Sequence, residues 1–359
     1  MDCPQNLSTW KQLDDPAWSD FHATWWGTTH LQETLDSNER VVQVFPDAQA
    51  QDLHLTFETR GQLYIRDEYK FLYNKLEAVE AVRMHGVLLS GQPGIGKSYF
   101  LAFALIKRMA SKSVTMFSNV QGRTYLFHES GIFVTYTTDI DEEFESITKM
   151  QSQNSTRWWS LIDPERGNKS PPKQVRTSHS FIVYATSPIE QRYKEWRNSK
   201  STPILFINLW SEEELSIALP LCFKNNKLPQ DFHLKQSIFL CGRCPRDIIS
   251  CTLEPQYWHQ EVSKALTQFK TLEDLLNSAN LTAWQKCSDI SAVAPLILIS
   301  RKASSEHANH ILDNCDALDI QFRSQYIAEL YIRERLSNDR NNWTYADYFY
   351  KARSHHHYT

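Results

Sequence analysis

The sequence predicts an α/β fold, with a parallel sheet in its middle part and a mainly helical C-terminal part. Three observations carry this expectation. Short apolar runs, Gly86–Ser90, Trp158–Ile162, Phe181–Ala185 and Ile204–Leu209, recur between polar or helix-period stretches, as strands buried on both faces do. Glycine is scarce, ten in 359 residues, yet Gly91, Gly94 and Gly96 fall within six positions, between one apolar run and a helical stretch. From about residue 212 onward the pattern is mainly helical. Strands alternating with helices, followed by a run of helices, imply a parallel sheet with an α appendage.

The elements follow in order. Residues 1–60 are rich in Trp, with Trp10, Trp18, Trp25 and Trp26; they are expected to form a short packing module or strap, or else a recruitment header. Tyr69, Leu72, Leu76 and Val79 recur at helical spacing within residues 62–82. Gly86–Ser90 is a strand, and Tyr99–Lys112 a helix with Phe100, Phe103, Ile106 and Met109 on one face. Residues 113–137 are extended, with a hairpin turning at Ser130-Gly131. The run Trp158–Ile162 closes on Asp163, and the polar, proline-bearing stretch 165–176 reads as a loop. Phe181–Ala185 delivers Thr186 and Ser187 to its C-terminal end, and Ile204–Leu209 is a further strand. Ser211 opens a helix with the capping-box spacing to Glu214. The expected division is therefore a segment 1–60, an α/β core 61–210 and a helical part 211–359.

Global features narrow the class. Thirty-eight Lys and Arg against 42 Asp and Glu give a formal charge of −4, which argues against a surface coated with nucleic-acid-binding charge. No window approaches the roughly 18 apolar residues of a membrane span, and the N-terminus lacks the basic and apolar regions of a secretory signal. Seven cysteines, at 3, 222, 241, 244, 251, 287 and 315, are odd in number and mostly scattered, which fits reduced thiols better than a disulfide framework. The expectation is an intracellular globular protein, cytoplasmic or nuclear, with export as an effector by a non-standard route left open.

The chemistry concentrates at Gly91-Gln92-Pro93-Gly94-Ile95-Gly96-Lys97-Ser98, with Tyr99 following. This matches the P-loop pattern G-x-x-x-x-G-K-S/T between a strand and a helix. Glycines let successive backbone N–H groups cradle phosphate oxygens, and the following helix adds its positive N-terminal end. Lys97 is positioned to hold the β- and γ-phosphates of ATP, and Ser98 to give an oxygen ligand to Mg²⁺. A chance glycine turn before a helix is the alternative. A carboxylate closing a neighbouring strand usually completes the metal shell, and Asp163 is the candidate, against an Asp that merely starts a turn before Pro164. Glu165 is the candidate to orient an attacking water, although Pro164 displaces it by one position; Asp139, Asp141 and Glu142 are unranked alternatives. Thr186 or Ser187 could sense the γ-phosphate or simply cap a loop. Arg192 and Arg197 could supply charge in the transition state or lie on the surface.

Two further segments remain open. Cys241-Gly-Arg-Cys244-Pro245-Arg246 reads either as half of a zinc site, lacking a second pair at standard spacing, or as a turn opening a helix that projects Arg246 toward the nucleotide. Asn226-Lys227-Leu228-Pro229 lacks the Asp of a guanine-specifying motif. Arg166, Lys169, Lys173 and Arg176 form a basic cluster, which is either solvated or a phosphate or nucleic-acid contact.

The ordered set YIRDEYKFLY, GVLLSGQPGIGKSYFLAFALIKRM, WWSLIDP, FIVYATSPIEQRYKEW, LFINLWSEEEL and CGRCPRDII resembles the P-loop NTPase module of Crinkler-type effectors and the related retrotransposon-hot-spot proteins. The likeness spans about residues 60–255 and runs more loosely to about 336. It implies an ASCE-type ATPase core with an inserted β-hairpin, akin to the AAA and STAND groups, with Lys97, Ser98, Asp163 and Arg246 on matching motif positions. In that family the module is often coupled to a nuclease or kinase domain; neither a PD-(D/E)xK pattern nor a kinase signature set stands out in this chain. The expected function is Mg²⁺-dependent ATP binding and hydrolysis that moves the helical part against the core, with a protein partner or self-association. A slow or non-hydrolysing nucleotide switch, a P-loop kinase and a vestigial loop are the rivals.

Overall fold

The computed structural model describes residues 10–29, 31–33, 40–44, 61–119, 122–136, 157–164, 180–186, 196, 202–223, 228–269, 296–301 and 318–336. The first elements are strand Lys11–Gln12 (β1), helix Pro16–Trp25 (α1), strands Val41–Gln43 (β2) and Gln62–Tyr64 (β3), and helix Asp67–Ala81 (α2). Strand Gly86–Ser90 (β4) and helix Lys97–Ala110 (α3) flank the glycine loop. Strands Thr115–Ser118 (β5), Arg123–His128 (β6), Gly131–Tyr136 (β7), Trp159–Ile162 (β8), Phe181–Ala185 (β9) and Ile204–Phe206 (β10) complete the core. Helices Glu212–Ala218 (α4), Leu234–Cys241 (α5), Pro245–Leu253 (α6) and Pro255–Gln268 (α7) follow, then strands Ile297–Arg301 (β11) and Leu318–Phe322 (β12) and helix Gln325–Leu336 (α8).

The main sheet has the order β1-β7-β6-β5-β8-β9-β4-β10. The neighbours from β5 to β10 run parallel, while the hairpin β6–β7 and the short β1 extend the sheet antiparallel beyond β5. Every residue of β4, β8, β9 and β10 is buried, because helices or chain cover both faces of a parallel sheet. Side chains alternate across it: Trp159 and Leu161 enter the large core with α2 and α3, whereas Trp158 joins Trp10, Met116, Leu126 and Phe133 in a second cluster.

Helix α3 is more deeply set than its periodicity suggests. Besides Phe100, Phe103, Ile106 and Met109, the residues Leu101, Ala102, Ala104 and Leu105 are buried too, because α1 and α2 cover the side that the sheet does not. Arg108, near its end, is buried as well, donating to the carbonyls of Val114 and Arg157 and lying 4.6 Å over the Trp159 ring. The N-terminal tryptophans are packing residues. Trp18 stacks on Tyr125 at 5.4 Å, and the Trp25 indole donates to the Val44 carbonyl at 3.1 Å.

Among the described residues after 211, five α-helices are joined by the antiparallel pair β11–β12. Leu296 and Ile297 are buried in the main core. Their apolar run is thus held by tertiary burial, which an isolated segment of this length does not announce.

Candidate functional site

The site lies at the C-terminal ends of the parallel strands, where α/β sheets bind ligands. Register places its members. Leu89 of β4 pairs with Ala185 of β9, and the Thr186 amide donates to the Leu89 carbonyl at 2.9 Å, so Thr186 lies beside the start of the glycine loop. Ser118 pairs with Ile162, and the Asp163 amide continues the ladder to the Ser118 carbonyl at 2.8 Å. Asp163 is therefore one strand further out, with β9 between β8 and β4. That inserted strand, with the hairpin beyond β5, gives the sheet order expected from the sequence for a P-loop α/β core.

The loop needs its glycines for stated reasons. Gly94 has φ +81° and Gly96 φ +106°, in the region that side chains disfavour. A Cβ on Gly94 would stand 2.3 Å from the Arg246 Cβ, and one on Gly96 2.5 Å from the Tyr69 hydroxyl. Gly96 caps α3, whose first residue is Lys97. The Lys97 ammonium donates to the carbonyls of Gly91 and Gln92 at 2.8 and 3.0 Å. Burial lowers its pKa to about 8, the Arg246 guanidinium pushes the same way, and the Asp163 carboxylate opposes both.

Three protein segments fasten the loop from outside. The Cys244 thiol donates to the Pro93 carbonyl at 3.2 Å, the Trp210 indole to the Ile95 carbonyl at 2.8 Å, and the Tyr69 hydroxyl to the Gly96 carbonyl at 3.0 Å. The Gln92 side chain reaches the Ile297 carbonyl at 3.5 Å, which brings β11 to the same loop. Trp210 is itself fixed. Its ring stacks on Tyr64 at 5.7 Å, and Arg66 lies 4.3 Å over it. The Arg66 guanidinium, fully buried, pairs with both oxygens of Glu214 at 3.1 Å and donates to the carbonyls of Asn208 and Leu209. Glu214 also closes the predicted capping box with Ser211.

Beside the loop opens a small cleft lined by Tyr64, Tyr69, Tyr99, Trp210, Leu219 and Ile249 among others. Its lining is almost wholly apolar, and burial pushes the Cys222 thiol on its wall up to about 12.

Of the residues singled out from sequence, Gly91 to Tyr99, Asp163, Thr186 and Arg246 gather at this end of the sheet. Thr186 is buried and Asp163 half-buried. Helix α6 opens at Pro245, so the turn reading of Cys241–Arg246 describes the local geometry, and Arg246 packs on Gly94. Among the described residues no group of three His, Cys, Asp or Glu side chains is placed to hold a metal ion. Glu165, Ser187, Arg192, Arg197, Asp139, Asp141, Glu142, Asn226, Lys227 and the basic cluster 166–176 lie outside the described residues. Sequence reasoning missed Tyr64, Arg66 and Trp210 as neighbours of the loop; their signal was their place in the YIRDEYKFLY and LFINLWSEEEL segments.

No family model matches the chain. Two curated relatives, Crinkler effector proteins 15 and 16 of Phytophthora infestans, are each 25% identical over 173 residues, covering 46% of this chain. The match spans only 26% of those relatives' own length. Among solved structures, AMPPCP-bound DnaA from Aquifex aeolicus aligns at a TM-score of 0.35 and 8% identity, over 68% of this chain and 87% of that one. A katanin structure describing self-assembly aligns at 0.36 and 10%, over 68% and 89%. Among the described residues no helix is long and apolar enough to cross a membrane.

Proposed function

We propose that this chain binds ATP with Mg²⁺ and hydrolyses it, and that the nucleotide state moves helices α5 and α6 against the α/β core. The observation that carries the proposal is the convergence of Lys97, Asp163 and Arg246 on one glycine loop, beside a cleft with aromatic walls. Lys97, its charge set between Arg246 and Asp163, holds the terminal phosphates. Arg246, from α6, senses them, and Thr186 at the end of β9 lies where it can position the γ-phosphate or the water. The base lies against the apolar cleft wall that Tyr64, Tyr69, Tyr99 and Trp210 build.

The donor set suits Mg²⁺. Ser98 at the start of α3 and Asp163 at the end of β8 offer hard oxygens, and Mg²⁺ commonly takes one or two protein ligands together with substrate phosphates and water. Bound there, the ion would neutralise charge on the transferring phosphoryl group. The rest falls to the chain: Lys97 orients phosphate, the loop amides cradle it, and the cleft excludes water from the base.

The resemblance to the Crinkler-type module supports the same reading, as do the shared P-loop and the inserted strand. ATP binding and phosphate release are to be measured on the parent and on Lys97→Ala. Loss of both in the variant is expected; unchanged binding would refute the loop assignment. A second reading, a switch that binds ATP but barely turns it over, is favoured by Pro164 directly after Asp163. A single-turnover assay separates them: bound ATP without phosphate release means the switch.

A further inference from the structure

The first turn of α6 carries two charged neighbours that meet different parts of the molecule. Consecutive helix residues project about 100° apart. Arg246 packs on Gly94 of the glycine loop, while Asp247 pairs with Arg323, the residue that follows β12. The Arg323 side chain is 4% exposed and that of Asp247 19%, so Arg323 is the fixed member of the pair and Asp247 the one brought to it.

The chain around Arg323 is held from several sides. Its amide donates to the Leu296 carbonyl at 2.8 Å. The next hydroxyl, of Ser324, donates to the Leu240 carbonyl near the end of α5 at 2.8 Å, and it receives the Ile327 amide at 3.1 Å, which caps α8. Leu296 and Ile297 are buried in the main core, and the Ile297 carbonyl receives the Gln92 side chain from the glycine loop at 3.5 Å. The turn between β12 and α8 thus joins the end of α5, the start of α6 and, through Leu296 and Ile297, the loop itself.

Helix α6 needs this hold. Its N-cap residue, Cys244, makes no side-chain cap hydrogen bond, and its thiol donates to the Pro93 carbonyl instead. Arg246 also stands among cations. Burial lowers the pKa of both Lys97 and Arg323, and the Arg246 charge acts in the same direction on each. Repulsion among the three favours rotation of Arg246 away from the loop. Asp247, the acid in the first turn of α6, opposes that rotation for as long as Arg323 holds it.

We propose that Arg323 is a positioning residue for the nucleotide site: through Asp247 it sets the rotation of α6 that aims Arg246 at the terminal phosphate. The aim at phosphate rests on the function proposed above; the tether of α6 does not. Arg323 itself meets no nucleotide, and its effect reaches the loop through Arg246. An arginine that reads the γ-phosphate distinguishes ATP from ADP. The signature of positioning is therefore a change in the ratio of those two affinities, which a loss of stability alone does not produce.

The test measures, by titration calorimetry on the whole chain, the affinities for Mg-ADP and for a non-hydrolysable Mg-ATP analogue. Loss of a charge-assisted hydrogen bond weakens binding about tenfold or more, so Arg246→Ala should cut the preference for the triphosphate by that factor. Arg323→Met should cut it by a similar factor, the double variant no further, and Arg323→Lys should restore most of it. Asp247→Asn, with the same expected loss, takes the place of Arg323→Met if that variant fails to fold. Hydrogen exchange across residues 245–250, measured without nucleotide, should quicken in Arg323→Met and stay near the parent rate in Arg323→Lys. A lowered Tm with an unchanged affinity ratio, or losses that multiply in the double variant, would make Arg323 a packing residue and overturn the proposal. An unchanged ratio in Arg246→Ala would overturn it too, by removing the sensor. If the parent binds neither nucleotide, the nucleotide function fails, and the exchange alone decides the tether: quickened exchange upholds it and unchanged exchange refutes it.

Discussion

Arg246 stands directly on Gly94: a Cβ built on that glycine would lie 2.3 Å from the Arg246 Cβ, and 3.0 Å from both Cδ and Nε. The contact fixes the distance between the glycine loop and helix α6 at the backbone, before any flexible part of the arginine is involved. Gly94→Ala must both adopt a left-handed φ, at about 1–2 kcal/mol, and push α6 away. We expect a lowered Tm and loss of the Mg-ATP thermal shift. Arg246→Ala keeps a Cβ and so should not rescue Gly94→Ala, whereas Arg246→Gly should recover part of the stability. Undiminished nucleotide binding by Gly94→Ala would contradict this geometry.

Lys97 gives the site a pH dependence of defined sign. Its pKa is lowered to about 8 by burial and by Arg246, against the support of Asp163, with the Cys244 thiol also close by. Below that pH the ammonium is present to meet a phosphate. Above it the lysine is neutral, and a bound phosphate must restore its proton, so affinity falls as pH rises, by up to about tenfold per unit. Titration calorimetry with an ATP analogue between pH 6 and 9.5 should show a plateau and then a decline from about pH 8. Arg246→Ala should move the break upward and Asp163→Asn downward. Lys97→Arg, which does not titrate in this range, should flatten the curve; a decline that persists there would assign the effect to another group.

The loop and its flanking elements were legible because their signals are local. Three glycines within six positions, a lysine at a helix start, an aspartate closing an apolar strand and a serine at capping-box spacing each declare themselves within one short window. The outer half of the site is not local. The Trp210 indole reaches the Ile95 carbonyl across 115 residues, and the Tyr69 hydroxyl reaches Gly96 across 27. Tyr69 read correctly as a residue of the buried helix face, yet nothing in a helical period says that its hydroxyl ends on a loop carbonyl. Nothing in the sequence window around Arg66 marks it as buried, and only the fold supplies the Glu214 carboxylate and the carbonyls that let it be so.

That buried pair sets up a stability prediction. Arg66 is 1% exposed and shares Glu214 with the capping box of α4. Removing one partner strands the other charge in a low-dielectric site, a loss of about 3–5 kcal/mol. Urea unfolding of Arg66→Met and Glu214→Ala should each show a loss of this size. The double variant should be less destabilised than the sum, because no lone charge remains. Simple additivity would mean that the carbonyls of Asn208 and Leu209, and not Glu214, hold the guanidinium.

Trp210 separates recognition of the base from recognition of the phosphates. Its ring forms a wall of the aromatic cleft, and its indole N–H holds the loop at Ile95. Stacking of a base on an aromatic side chain is worth about 1–3 kcal/mol. Trp210→Phe retains a stacking face and loses the hydrogen bond, whereas Trp210→Ala loses both. Affinity for ATP and for inorganic triphosphate, which lacks a base, should therefore respond differently. Trp210→Ala should weaken ATP at least about fivefold by the energy above, while triphosphate binding drops only as far as it does in Trp210→Phe. Lys97→Ala should weaken both ligands alike. If ATP and triphosphate fall together in Trp210→Ala, the tryptophan acts only as a brace for the loop, and the base must sit elsewhere.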